Sequence, residues 1–301
     1  MLHRARLFFM NVGLTEVDTP LLCPAAPVDA HIDLIQSQMH DGKMGYFHSS
    51  PEYAMKRLIA MGLTNIFQLS HVFRYGEEGR LHNPEFTMAE WYQENFSLDQ
   101  IINQTLDFIK IFLGDLPCEQ LTYKDLFIEH TNLDIDLSPV KDLIQFIQER
   151  QMYPPKDLCQ WDKDTLLQYI LSFFIEPVLG MDKLTVLKYF PASQSALSQL
   201  TLYQDTLVSE RFEIYFQGIE LANGYHELTD PQEQLKRFQL SNQKRKDMGK
   251  LELPIDKKFL EALEQGLPDC SGVAVGFDRL MMLRHKQSEL SQVLPFAWSN
   301  L

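Results

Sequence analysis

The sequence predicts an α+β fold, an antiparallel sheet flanked by helices. Strand-like alternation clusters in two places, NIFQLSHVFR with EFTMAEWYQ and later RFEIYFQGIELA. The helical segments stand beside those clusters and do not alternate strictly with strands. A third stretch, SGVAVGFDRLMML, passes from strand to helix near the end. No linker, repeat or low-complexity segment divides the 301 residues.

Each element has local reasons. MLHRARLFFMNVG reads as a helix leading into the strand-like TEVDTP; its apolar run is broken at Asn11, unlike a signal peptide. SSPEYAMKRLIAMG carries Ser50 as N-cap, Pro51 at the first helical position and Gly62 at the end. In the next strand Phe67, Leu69, His71 and Phe73 share one face, with Ile66, Val72 and Arg74 on the other. Phe86, Met88, Glu90 and Tyr92 share a face of its partner. Ser97 and Gln100 spell a capping box for a helix that ends at Gly114. Residues of about 115–190 read as mainly helical. DPQEQLKRFQLSNQKRK is a charged helix, and KRKDMGK at 244–250 reads as its solvated face.

Bulk properties exclude several classes. With 27 basic and 41 acidic residues the net charge is −14, against a general polyanion binder. Cys23, Cys118, Cys159 and Cys270 stand apart, without zinc-ligand spacing, as in a reduced cytoplasmic protein. No apolar run approaches the roughly 20 residues of a membrane span.

The chemistry-bearing residues fall in three groups. If Gln217-Gly218 is a two-residue turn, Tyr215 pairs with Glu220 and Glu213 with Ala222. Glu213 and Glu220 are then diagonal neighbours, close enough to share Mg²⁺ or simply to form a solvated strand edge. Asn223 and Glu227 follow on the same strand. Arg74, with Glu77, Arg80 and His82 in the loop beyond it, suits a phosphate chain, and Phe86 offers a flat face to a purine. Arg279 could lie over that purine's other face. Gly272 and Gly276 permit close backbone approach but spell neither a dinucleotide fingerprint nor a P-loop. Glu52, Glu90, Tyr92 and Glu227 suit a diamine, though each has an ordinary structural reading.

VFRYGEEGRLHNPEFTMAEWY resembles motif 2 of class II aminoacyl-tRNA synthetases, SGVAVGFDRL resembles motif 3, and GLTEVDTP resembles motif 1. HNPEFTM, ELANGYHELTDPQEQ and SPEYAMKRL narrow the resemblance to the lysyl-tRNA synthetase branch. Two departures stand out. Motif 1 starts almost at Met1, which leaves no room for an anticodon-reading OB-fold, and Ala274 replaces a motif 3 glycine. Both features, with FPASQ and AEWY, are similar to the stand-alone paralogues that ligate (R)-β-lysine to elongation factor P.

The resemblance implies one class II synthetase-like catalytic domain over residues 1–301, with about 115–190 as an insertion between motifs 2 and 3. It implies activation of (R)-β-lysine, and α-lysine less well, by ATP and Mg²⁺, then transfer to a lysine of elongation factor P. Arg74 and Arg279 would be catalytic. Tyr75, Gly76, Glu77, Arg80, His82, Asn83, Phe86, Glu220, Leu221 and Gly276 would join them around ATP. Ser50, Pro51, Glu52, Glu90, Tyr92, Asn223, Glu227 and Ala274 would surround the amino acid, and Glu213 and Glu220 would hold the metal. Motif 2 usually reads Arg-x-Glu; Gly76 stands at the Glu position, with Glu77 as a substitute. A cytoplasmic homodimer that uses no tRNA and no membrane is expected. A minimal lysine–tRNA ligase and a catalytically dead regulatory paralogue are the rival readings.

Overall fold

The computed structural model describes residues 1–25, 27–153 and 157–301. They form two compact units, one of residues 1–114 and 226–301, the other of residues 115–225.

In the first unit the sheet is built around two long strands, Ile66–Phe73 and Glu85–Glu94, paired antiparallel with Ile66 opposite Tyr92 and Phe73 opposite Glu85. Strand Cys270–Gly276 adds antiparallel to the second, placing Gly272 opposite Tyr92, Ala274 opposite Glu90 and Gly276 opposite Met88. Thr15–Glu16 joins the other edge in parallel, a departure from a purely antiparallel expectation. Period-two alternation gives the sheet two unlike faces. One carries Phe67 and Trp91, which pack on Phe9 and Phe108 with ring centroids 4.5–5.4 Å apart. Helices Leu2–Asn11 and Leu98–Leu113 supply those two partners. The Ser97–Gln100 capping box opens the second helix as its sequence predicts. The opposite face carries Gln68, Ser70, Glu90 and Tyr92, all buried despite being polar or hydroxylated. A sheet face this polar and this dry needs a chemical reason.

Helix Glu52–Ala60 starts one residue later than Pro51-first counting predicts, with Pro51 as the N-cap. Ser50 still does the capping chemistry, its Oγ accepting the Glu52 N–H at 3.0 Å. Tyr53 of this helix stacks on Phe259 of helix Lys257–Gly266, centroids 4.4 Å apart and nearly parallel. The basic stretch at 244–250 is not simply solvated. Arg245, 3% exposed, donates to the carbonyls of Leu251, Asp29 and Ile32 and pairs with Asp33 at 2.9 Å. Asp33 in turn accepts the Tyr75 N–H on its carbonyl, so this guanidinium braces the start of the 75–84 loop.

In the second unit strands Cys118–Thr122 and Leu184–Pro191 pair in parallel, and Thr206–Phe216 runs antiparallel to the latter. Helices Tyr123–Thr131, Val140–Glu149 and Lys163–Ile170 cover a core that includes Tyr123, Phe127, Ile147, Leu167, Phe190 and Tyr215. Gln217 and Gly218 both have positive φ, as a tight hairpin turn requires, and Tyr215 pairs with Glu220 as expected. Beyond that pair the expected register fails. A bulge falls between Ile214 and Tyr215, leaving Leu221 without an opposite, so Glu213 faces Asn223 rather than Ala222.

Replacing Arg245 by Met leaves three carbonyls and a carboxylate without their donor and should cost about 3 kcal/mol of stability. Lys246→Met, next to it but half exposed, should change stability by less than about 0.5 kcal/mol. Urea melts of the two variants make the comparison, and equal losses would refute the brace.

Candidate active site

The polar sheet face of the first unit ends in a closed cluster of charge. Glu52 lies in the first turn of its helix and Lys56 one turn later, so the two side chains meet, Nζ to Oε1 2.6 Å. The same ammonium lies 2.5 Å from Glu227 Oε2, with the Lys56 and Glu227 side chains each 1% exposed. The Tyr92 and Phe259 rings stand 6.0 Å from it. Burial pulls the Lys56 pKa down, but Glu227 and Glu52 outweigh burial and push it above the usual lysine value. Lys56 is a charged group that pattern reading missed. The signal available was a Lys four residues after Glu52 on a helix face shared with apolar side chains.

Glu90 sits one strand away, 1% exposed, accepting from Tyr92 OH at 2.6 Å and Ser50 Oγ at 2.8 Å. Burial first, then the Glu52 carboxylate, raises its pKa to about 8. Glu227 is raised too, by burial against the pull of Lys56. Gln68, directly opposite Glu90, carries a buried Oε1 without a hydrogen-bond partner, another acceptor absent from the expected set. Gly272 is required here: a Cβ on it would overlap the Tyr92 ring and stand 2.6 Å from Glu227 Oε1. Ala274 is directly opposite Glu90, so its methyl shares that face. The structure thus brings Ser50, Glu52, Glu90, Tyr92, Glu227 and Ala274 together, with Pro51 buried at the helix start. Such a pocket suits a cation.

Farther along the same strands, Arg74 lies with its guanidinium 5.2 Å from the Phe86 ring and 3.5 Å from Glu77. Its Nε is a buried donor without a partner. Arg279 donates to the Leu81 carbonyl and meets His82 Nε2 at 2.8 Å, so Phe86 is faced by Arg74 here. Asp278 accepts the Thr87 N–H at 2.6 Å and ties the helix that bears Arg279 to this strand. Tyr75 is exposed, and Gly76 holds φ +76, which suits glycine and not the expected glutamate. Arg80 reaches the Ser288 carbonyl, and Asn83 accepts the Trp298 N–H while donating to Glu85. Gly276 has room for a methyl, since a Cβ would make only ordinary contact with Arg279.

The second unit holds the other acidic group. Glu213 accepts from Arg211 at 2.5 Å, from Asn223 Nδ2 at 3.2 Å and from the Tyr215 hydroxyl. Burial, opposed by Arg211 and aided by Glu220, raises its carboxyl. Tyr215 also reaches Glu176, whose pKa burial and the Glu213 and Glu220 charges raise to about 7. Arg211 and Glu176 were not foreseen. Leu221, the bulged residue, is buried. Among the described residues no group of three or more His, Cys, Asp or Glu is placed to hold a metal. Glu213, Glu220 and the buried, unpartnered Asn223 Oδ1 are nevertheless an all-oxygen set of the kind magnesium takes. No helix among the described residues is long and apolar enough to cross a membrane.

The class is set by the match of residues 1–300 to the family model of class II tRNA synthetases (D, K and N). Within that class the chain belongs to the family of elongation factor P–(R)-β-lysine ligases. It is 42% identical to the protein of that name from Pasteurella multocida strain Pm70, over 98% of this chain and 92% of the relative. The Haemophilus influenzae Rd protein is 41% identical over 100% and 93%, and the Yersinia pestis Pestoides F protein 42% over 97% and 90%.

Glu90 gives a pH test. Its folded pKa lies near 8 and its ordinary value is 4.5, so between these the folded protein keeps a proton that the unfolded chain has released. Stability without ligand should therefore fall as pH rises through that window. Glu90→Gln should flatten this fall and be the more stable protein above it, by a few kcal/mol at most. Urea melts at about pH 5, 7 and 9 measure the slope, and parallel curves for both proteins would contradict the assignment.

Proposed function

We propose that this protein activates (R)-β-lysine with ATP and transfers it to the ε-amine of a lysine on elongation factor P. The observation that carries the reading is the dry cluster of Glu52, Glu90 and Glu227, an acidic pocket that few substrates other than a diamine would suit. The names of the relatives, each an elongation factor P–(R)-β-lysine ligase, support the acceptor.

In the first step a substrate carboxylate oxygen attacks the α-phosphorus in line, and pyrophosphate leaves. Arg74 holds the α-phosphate through a guanidinium whose Nε is already desolvated and unpaired. Arg279 faces the adenine or the phosphates, and Phe86 offers the ring its flat side. Arg80 and His82 meet the outer phosphates, with Tyr75, Gly76, Glu77, Asn83, Leu221 and Gly276 lining the nucleotide. Glu213 and Glu220 would hold magnesium, which when bound spreads the phosphate charge. Glu52, Glu90, Tyr92, Asn223 and Glu227 orient the amino acid, so most of the acceleration is positioning. In the second step the acceptor amine attacks the adenylate carbonyl, the acyl–phosphate bond breaks, AMP leaves, and the amine gives up its proton.

Residues 1–301 act in this reading as one catalytic domain with an insertion. The enzyme works in the cytoplasm as a homodimer without tRNA. Exposed Leu2, Leu7 and Met10 on the first helix support an interface near motif 1.

Incubation with elongation factor P, Mg-ATP and (R)-β-lysine should add one lysyl unit to the factor's intact mass. The gain should be larger than with α-lysine, and tRNA supplied instead should stay uncharged. Charging of tRNA with no gain on the factor would make this a lysine–tRNA ligase. No change in either acceptor would favour a regulatory paralogue.

A second variant pair checks the pocket itself. Gly272→Ala should abolish amino-acid-dependent pyrophosphate exchange by driving Tyr92 and Glu227 apart, while Gly276→Ala should fold normally and weaken ATP binding alone. Unchanged exchange in Gly272→Ala would remove Glu227 and Tyr92 from the reaction.

A further inference from the structure

Lys56 has no part in the steps above, yet it is as deeply buried as Glu90 and Glu227, at 1% exposure. Its ammonium is spent on two carboxylates that the reaction needs, Glu52 at 2.6 Å and Glu227 at 2.5 Å. Glu90 is held separately by Ser50 and Tyr92. The cluster therefore carries three carboxylates and one internal cation, all on the first unit. We propose that Lys56 is a positioning residue that sets the charge of the amine pocket, cancelling one of three carboxylates and fixing Glu52 and Glu227. Once a bound ammonium draws the proton off Glu90, two negative charges face a substrate that brings two ammonium groups.

Packing alone is a poor explanation for this lysine. A buried ion pair is seldom more stable than an apolar side chain of the same volume, and a methionine would fill the space. Without ligand Glu90 already holds a proton at neutral pH; a methionine at 56 would also leave Glu52 and Glu227 with no cation between them, so that one of these would take up a proton as well. The ammonium pairs with one oxygen of each acid, donating to Glu52 Oε1 and standing at ion-pair distance from Glu227 Oε2, so both acids keep their second oxygens for other partners. Glu227 Oε1 lies beside Gly272, where a Cβ would stand 2.6 Å from it, so the glycine leaves that oxygen unblocked. The charge balance also discriminates between substrates. A monoamine would engage fewer of these carboxylates and leave Glu90 holding its proton, so it gains fewer ion pairs than a diamine.

The inference rests on the proposed diamine substrate, so its test reads binding separately from turnover. Calorimetry and pyrophosphate exchange with (R)-β-lysine would be run on the wild-type protein, Lys56→Ala and Lys56→Met, with circular dichroism to check the fold. Lys56→Ala should lose about 100-fold or more in affinity. Adding n-butylammonium should restore at least tenfold, and n-butanol, of similar size and uncharged, should restore nothing. Equal rescue by the alcohol, or binding by Lys56→Met within threefold of wild type, would overturn the proposal. Lys56→Met decides alone if the alanine variant does not fold. A wild-type protein that binds the diamine without exchanging pyrophosphate would sink the ligase reading and leave the binding comparison to judge Lys56. No diamine binding at all would overturn both.

Discussion

A lysine with 1% exposure stays charged only because two carboxylates stand within ion-pair distance of it. Much of the first unit can be understood as the means of keeping that arrangement. Glu52 and Lys56 come from successive turns of one helix, which fixes their separation without any long-range help. Glu227 must come from elsewhere, and its N–H bonds to the Cys270 carbonyl to set its place. Tyr53 stacked on Phe259 then holds the helix against its neighbour, and the Tyr92 and Phe259 rings stand 6.0 Å from the ammonium.

The sheet solves a related problem. Its two faces are made by the same strands, one carrying Phe67 and Trp91 into an aromatic core and the other carrying Gln68, Ser70 and Glu90. The apolar side secures the strands against helix Leu98–Leu113, and that stability permits the polar side to be buried with imperfect compensation. The orphaned Gln68 Oε1 and the raised Glu90 carboxyl are the visible costs. Both are acceptors, or become acceptors on ionisation, so a bound cation relieves both.

The fold was legible in the sequence where it depends on neighbours along the chain. The Ser97–Gln100 capping box, the Gln217-Gly218 turn and the alternating faces of the two long strands all follow from periods of two to four residues. The acidic cluster was legible for the same reason, since Glu90 and Tyr92 share a strand face and Ser50 and Glu52 share a helix start. What escaped notice were the buried cations. Lys56, Arg211 and Arg245 look like surface residues in sequence; Lys56 and Arg245 are revealed only by partners far along the chain, and Arg211 by a Glu213 that is itself buried. Arg245 is the clearest case, because three of its four partner groups lie more than two hundred residues away. The bulge at Leu221 escaped because one extra residue leaves the turn chemistry unchanged while it moves every later pair.

Shape and charge divide the work of recognition in the proposed reaction. Charge counting at Lys56 distinguishes a diamine from a monoamine but cannot tell α-lysine from β-lysine, which carry the same groups. That distinction has to be steric, and Ala274 is where steric contact is available. Its methyl shares a face with Glu90, on a strand whose other site positions, Gly272 and Gly276, have no side chain. Gly272 cannot take a methyl because Tyr92 and Glu227 fill the space, while Gly276 could take one as far as the protein is concerned. The three alternate positions therefore differ in kind: one is closed by the pocket, one carries a methyl, and one is left open. An added methyl at the middle position narrows the pocket without touching its ion pairs, so specificity for the isomer and affinity for the amines can vary independently.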